Sequence, residues 1–331
     1  MQPRVLVAGG GGFIGGHLVA ALRRRGTAAI RAVDIKPMTS WYLHFDDVDN
    51  RQLDLRRREA CLEAAAGIDD VYQLASDMGG MGFIESNKAL CMLSVLINTH
   101  MLEAARELGA RRYFYASSAC VYNIDKQQGY DVTPLREADA YPAMPEDGYG
   151  WEKLFSERMC RHFSEDFGLP TRIARFHNVY GPHGTWDGGR EKAPAAICRK
   201  VIDAKLRGDH RIEIWGDGQQ RRSFTYIDDC IDGIGRIMDS DIDEPINLGS
   251  SETVTIDALV DVVETIAGIR LERSYRSDAP VGVDGRSSDN TMILDRLGWE
   301  PSTPLHIGME NTYAWIHEQY VARQKGLAHR V

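Results

Sequence analysis

Tyr149 and Lys153 stand four residues apart in Tyr149-Gly-Trp-Glu-Lys153, the spacing that puts a phenol and an ammonium on one face of a helix. An ammonium beside a phenol favours the phenolate, lowering a pKa of about 10 toward neutrality. Such a Tyr can take the proton of a substrate hydroxyl while the carbon behind it gives up a hydride. In Ser117-Ser-Ala-Cys-Val-Tyr122, at the end of a strand, Ser118 can orient that hydroxyl. Cys120 follows two residues later and, if the chain stays extended, faces the same side; a thiol there can carry protons. Lys192, in Gly188-Gly-Arg-Glu-Lys-Ala-Pro194, falls near a helix start, where a cation is disfavoured. The dipole and burial would both lower its pKa, as proton transfer by a Lys requires. Each feature alone has a plainer reading: a buried Tyr and a surface Lys, a small core Cys, a solvated loop Lys.

A hydride needs an acceptor. Gly9, Gly12 and Gly15 lie between a strand and a helix, where bare backbone approaches a pyrophosphate and the helix N-terminus offers free N–H groups. Asp34 closes the second strand 19 residues after Gly15, where an acid would bind a ribose diol. A carboxylate there favours NAD over NADP, with Arg31 and Lys36 nearby acting in the other sense. Asp54-Leu55, after the third strand, would bracket the adenine.

The elements that must position these residues alternate. Strands are predicted at Arg4–Ala8, Ala29–Asp34, Val71–Ala75, Arg112–Ser117 and Thr171–Phe176, and helices at His17–Arg25, through Met101–Leu108 and at Tyr149–Phe167. Repeated strand–helix units give an α/β, Rossmann-type, doubly wound parallel sheet. After residue 176 the texture turns to Gly, Pro, Trp and charge, with a helix at Ala193–Ala204 and a strand at Arg211–Trp215. A strand at Pro245–Leu248 returns to the sheet. The expected division is a dinucleotide-binding domain of residues 1–176 with about 217–250, and a smaller C-terminal α/β substrate domain of 177–216 with about 251–331.

Composition excludes other classes. The 331 residues, 43% hydrophobic and 26% charged, read as globular, and the length favours two packed domains. A formal charge of −9 disfavours nucleic acid and anionic membrane. Six scattered cysteines without a Cys-x-x-Cys pair read as reduced, cytoplasmic thiols. No apolar run reaches the roughly 20 residues of a membrane span, and the N-terminus is unlike a signal peptide. His177 and His183 lack a spaced third ligand, so no metal is expected. Trp186 is left between the sugar pocket and loop packing.

The chain resembles the extended short-chain dehydrogenase/reductase family, the NAD-dependent nucleotide-sugar epimerases and dehydratases. The matching motifs are Gly9-x-x-Gly12-x-x-Gly15, Ser118 with Val121-Tyr122, Tyr149-x-x-x-Lys153 and Arg175-Phe-His-Asn178-Val-Tyr180-Gly-Pro182. Where the family's dehydratases carry an acid pair, a single Cys follows Ala119. A nearer likeness, over about residues 4–320, is to the family's sugar 3,5-epimerases. It rests on Ala75-Ser-Asp-Met-Gly79-Gly-Met-Gly-Phe83, Phe114 to Cys120, Gly184 to Ala196, Trp215 to Gln220, Arg222-Ser-Phe224, Gly285-Arg286 and Ser288-Asp-Asn290. Ser76 and Asp284 depart from that branch.

The resemblance implies a tightly bound NAD held by Gly9, Gly12, Phe13, Ile14, Gly15, Asp34, Lys36, Asp54, Leu55, Tyr149 and Lys153. It implies a nucleotide-diphosphate sugar touched by Gly79, Ser118, Ala119, Cys120, Tyr149, Asn178, Glu191, Lys192, Ala193, Lys200, Gln220, Arg221, Arg222 and Arg286, the cations suiting a diphosphate. Tyr149, Lys153 and Ser118 would oxidise and later re-reduce carbon 4, with Cys120 and Lys192 the proton carriers at carbons 3 and 5. A homodimer through helices around Met92–Arg106 and Trp151–Phe163 is also implied. A 4-epimerase, a 4,6-dehydratase and a non-catalytic NAD-binding protein remain open alternatives.

Overall fold

In the computed structural model, residues 3–131 and 133–326 are described. Seven parallel strands form the main sheet, in the order Ile246–Leu248, Thr171–Phe176, Arg112–Ser118, Asp70–Gln73, Arg4–Ala8, Ala29–Asp34, Asp49–Gln52. The chain starts at Arg4–Ala8, winds outward through Asp49–Gln52, then returns to the other side through Asp70–Gln73. That reversal opens a crevice at the strands' C-terminal ends, the usual ligand position in such sheets.

Alternation along the first strand divides the core. Val5 and Val7 face Leu18, Leu22, Ile227 and Ile234 on one side of the sheet. Leu6 and Ala8 face Cys61, Met101, Leu102 and Phe163 on the other. Each fully buried aliphatic side chain contributes roughly 1.5–3 kcal/mol, so the central strand is anchored through both faces.

Strands Arg4–Ala8, Ala29–Asp34, Thr171–Phe176 and Arg211–Trp215 and helix Tyr149–Phe167 have the bounds expected from sequence. Others differ for local reasons. The fourth strand stops at Gln73, short of the expected Ala75, because the Gln73 side chain accepts the Ala75 N–H (3.1 Å) and draws it off the ladder. The first helix begins at Phe13, not His17. Its Gly15 is a packing residue, since a Cβ there would lie 2.0 Å from the Gly9 carbonyl oxygen. The helix expected through Met101–Leu108 spans Ser94–Glu107.

The smaller layer is built on helix Ala193–Arg207, which packs against helices Ile256–Ala267 and Leu305–Gln324. Strand Arg211–Trp215 pairs in parallel with Glu272–Arg276. Strand Arg221–Ser223 lies between Thr253–Thr255 and Gly285–Arg286, so Arg222 and Arg286 arrive side by side.

Candidate active site

Gly9 has φ +84°, and a Cβ there would lie 2.9 Å from the Ala75 nitrogen. The loop leads into helix Phe13–Arg24, whose first turn has no acid and whose N-cap, Gly12, offers no side-chain cap. The leading N–H groups therefore stay available to an anion. Phe13 and Ile14 pack partly buried on the core. Asp34 ends its strand buried, its Oδ1 accepting the Lys36 N–H (3.0 Å), while the Lys36 side chain is exposed. Leu55 is buried, and Asp54 is engaged by Arg56 (2.7 Å). This uncapped, side-chain-free cradle fits a dinucleotide pyrophosphate.

Across the crevice, strand Arg112–Ser118 ends in a tight turn over Ala119–Val121. Cys120 therefore lies in a turn and not on the extended path that would have set it on the same side as Ser118. The turn is capped by the Ser118 Oγ, which accepts the Cys120 N–H (3.2 Å), and it carries the thiol to Tyr149. Cys120, Tyr149, Cys91 and Ile84 form one buried cluster with Met78 and Phe83 against it. Gly150 permits this approach, since a Cβ there would be 2.4 Å from the Cys120 carbonyl oxygen. Gly79, buried, packs on Phe83.

Lys153 Nζ lies 5.4 Å from the Tyr149 ring centre and donates to the Ala116 carbonyl (3.2 Å). Burial raises the Tyr149 phenol well above its ordinary value, the charges of Cys120 and Glu152 add to this, and the Ser118 hydrogen bond opposes it. Burial pushes the Cys120 thiol up to about 11, with Glu146 adding and Arg286 opposing. Lys192 is the N-cap of helix Ala193–Arg207, as its helix-start position predicted. Burial lowers its pKa, and the facing Cys120 opposes that shift. A held thiol proton and a loosened ammonium proton thus share one cleft; Ala119 packs with Val121 and Leu135, and Ala193 against the main core.

Arg286, expected to bind the diphosphate, places its guanidinium against the thiol, with Nη1 3.6 Å from Cys120 Sγ, Nε on Gln127 Oε1 (2.7 Å) and Nη2 on Glu146 Oε1. Arg222 donates to the Val281 carbonyl (3.0 Å) and those of Val283 and Asp284, bracing the turn that leads to Arg286. Burial and the neighbouring Arg286 lower the Arg222 pKa to about 10. Gln220 is buried with Oε1 unpartnered. Asn178, in a left-handed conformation (φ 41°), donates to the Ser223 carbonyl (3.0 Å) and ties the two layers. Glu191 pairs with Arg199 (3.0 Å). Lys200 sits farther out, on the Glu213 carbonyl (2.7 Å) and the Trp215 ring, and Arg221 is exposed.

Glu146 and Gln127 are the polar residues that sequence reading missed. The one available signal was a carboxylate three positions before Tyr149. His177 is buried on Asn247 Oδ1 (2.9 Å), burial pushing its pKa down to about 3. Among the described residues no cluster of His, Cys, Asp or Glu could hold a metal. Trp186 is a loop-packing residue, buried beneath the Arg323 guanidinium at 4.2 Å.

The chain is similar to known proteins. The chain is 46% identical over 317 residues to GDP-mannose 3,5-epimerase 1 of Oryza sativa subsp. japonica, covering 96% of this chain and 82% of the relative. Identity and coverage are the same with GDP-mannose 3,5-epimerase of Arabidopsis thaliana: 46%, 96% and 82%. The fold matches UDP-glucose 4-epimerase of Thermotoga maritima with UDP-glucose, at TM-score 0.86 and 23% identity over 96% of this chain and 99% of that one. It also matches MoeE5 in complex with UDP-glucuronic acid and NAD, at TM-score 0.79 and 28% identity over 96% and 99%. Residues 5–249 match the family profile itself, and the chain belongs to the NAD dependent epimerase/dehydratase family.

Proposed function

We propose that this chain is a GDP-mannose 3,5-epimerase, converting GDP-mannose to GDP-L-galactose, with GDP-L-gulose arising from inversion at carbon 5 alone. The observation that carries this reading is the convergence of Cys120 and Lys192, from different layers of the molecule, on one cleft beside Tyr149. The plant relatives of that name support it.

Tyr149, as its phenolate, takes the proton of the carbon 4 hydroxyl, which Ser118 orients, while the Lys153 ammonium favours the phenolate against burial. NAD, held on the Gly9–Gly15 loop with Asp34 on a ribose, supplies a reversible hydride acceptor for carbon 4, so the cycle carries no net redox change. A ketone at carbon 4 acidifies the hydrogens of carbons 3 and 5. Cys120 and Lys192 exchange protons there from opposite sides of the ring, Cys120 entering with its proton held and Lys192 with its proton loosened. The sheet layer, residues 1–176 with about 217–250, serves the dinucleotide, and 177–216 with about 251–331 serves the sugar nucleotide.

We further place the protein in the cytoplasm as a homodimer. The six cysteines are all free and buried, and no described helix is long and apolar enough to cross a membrane. Met92, Leu93, Trp151 and Phe155, the last 52% exposed, lie on adjoining helices and supply an apolar face for a second copy. A monomer in sedimentation at micromolar concentration would overturn the dimer.

The test is purified protein with GDP-mannose in deuterated water and no added NAD, followed by NMR of the sugar. Deuterium at carbons 3 and 5 with galactose and gulose configurations is the expected result, and Cys120→Ala should abolish the exchange. Inversion at carbon 4, or a keto-deoxy product without exchange at carbon 3, would replace the reading with a 4-epimerase or 4,6-dehydratase. Full exchange in Cys120→Ala would remove the thiol from the mechanism.

A further inference from the structure

Glu146 belongs to none of the motifs that located the site, yet it is only 8% exposed and touches its centre. Its N–H donates to the Cys120 carbonyl (3.1 Å). A Cβ on Gly150 would come within 3.2 Å of the Glu146 Cβ, so that glycine admits the carboxylate to the cleft. Oε1 is bound to Arg286 Nη2, and Oε2 is buried without a partner. The same guanidinium puts Nη1 3.6 Å from Cys120 Sγ, while Gln127 fixes its Nε at 2.7 Å. A buried carboxylate oxygen without a donor is costly, and a pair serving only the fold gains nothing by keeping one.

We propose that Glu146 is a positioning residue for the proton step at Cys120, its carboxylate clamping the Arg286 guanidinium against the sulfur and offsetting that cation's pull on the thiol proton. The 3,5-epimerase reading is needed only for what this proton is used for. Other elements also turn groups toward Cys120: Arg222 from strand Arg221–Ser223, Lys192 from the N-cap of helix Ala193–Arg207, Tyr149 from its helix, and Ser118. Among these groups Glu146 is the carboxylate, and Arg286 approaches the sulfur within 3.6 Å. Burial raises the carboxyl of Glu146, but the charge and hydrogen bond of Arg286 outweigh burial and hold it below the usual range. It therefore stays anionic at neutral pH. During turnover the proton passes between sulfur and sugar carbon, and Glu146 keeps its charge and exchanges none.

Glu146→Gln removes the negative charge and leaves Arg286 acting on the sulfur unopposed. Thiolate absorbance would be titrated in the purified full chain, taking the difference from Cys120→Ser to isolate this thiol. The midpoint should fall by about one pH unit or more in Glu146→Gln, remain near wild type in Glu146→Asp, and rise in Arg286→Gln. With GDP-mannose, Glu146→Gln should lower kcat and move its pH profile toward acid with little change in KM. An unchanged or higher midpoint in Glu146→Gln, or equal shifts in the Gln and Asp variants, would reduce Glu146 to packing and overturn the proposal. If Glu146→Gln does not fold, the other two titrations decide: a midpoint near wild type in Glu146→Asp with a rise in Arg286→Gln supports the proposal, and a shifted midpoint in Glu146→Asp or none in Arg286→Gln overturns it. The titration needs no sugar nucleotide, so it stands even if GDP-mannose is not turned over.

Discussion

Among the described residues two Arg–Glu pairs are buried on both sides, and they differ in what they leave unmet. Arg175 and Glu157, with side chains 2% and 3% exposed, tie strand Thr171–Phe176 to helix Tyr149–Phe167. Both Glu157 oxygens accept from Arg175 (2.9 and 2.7 Å), Ser117 Oγ adds a third bond at 2.5 Å, and Arg175 Nη1 reaches the Glu137 carbonyl at 2.7 Å. Arg286 and Glu146, with side chains 6% and 10% exposed, leave one carboxylate oxygen without a donor and rest one guanidinium nitrogen on a sulfur. Burial and residue types are nearly equal, so neither separates structure from chemistry. Closure of the hydrogen-bond network does: the closed pair is architecture, and the open one keeps its capacity for a reacting group. A buried pair adds little net stability, but losing one partner strands a charge.

The sharpest way to break this comparison is Glu157→Gln. It leaves the buried Arg175 guanidinium without its hydrogen-bonded carboxylate, and should cost about 3–5 kcal/mol, read by urea unfolding followed by circular dichroism. A loss below about 1 kcal/mol would mean that closure does not mark a structural pair. Glu146→Gln should cost less, about 1–2 kcal/mol, because one of its oxygens makes no bond to lose. The two should also separate by pH. Since the Glu146 carboxyl is held below its ordinary value of 4.5, its stabilisation is complete above that pH and disappears as pH falls through the lowered value. Glu146→Gln should therefore flatten the acid side of the stability curve, and an unchanged acid limb would show that the pair carries no charge linkage.

The same contrast explains what was readable from sequence. Tyr149 and Lys153 share a helix, Gly9 to Gly15 share a turn, and Ser118 ends a strand, so local spacing was enough to find them. Cys120 and Lys192 were locally visible too, as proton carriers, but their assignment to carbons 3 and 5 came only through the family resemblance. The Arg286 clamp was invisible, because Glu146 and Gln127 lie 140 and 159 residues from it and meet it only through the smaller layer. For Tyr149, spacing counted the Lys153 cation and could not weigh the burial that pushes the phenol's pKa up. The extended path assumed for Cys120 failed because the Ser118 hydroxyl caps a turn there. Sequence spacing finds residues, whereas protonation depends on how closely everything else packs around them.

A third pair gives the lower bound. Arg323, on helix Leu305–Gln324, meets Asp187 at 2.5 Å on the loop that ends in Lys192. These side chains are 46% and 37% exposed, and the guanidinium also covers the Trp186 ring at 4.2 Å. Solvent screens the charges, and Arg199 approaches Asp187 at 3.5 Å, so a substitute partner is present. Arg323→Gln should therefore lower stability by at most about 1 kcal/mol, an effect that shrinks further in high salt, with kcat nearly unchanged. A loss as large as that of Glu157→Gln, or a collapse of kcat, would show that the Lys192 loop hangs on this one exposed contact. Exposure would then fail to rank the pairs, and the distinction between closed and open burial would lose its baseline.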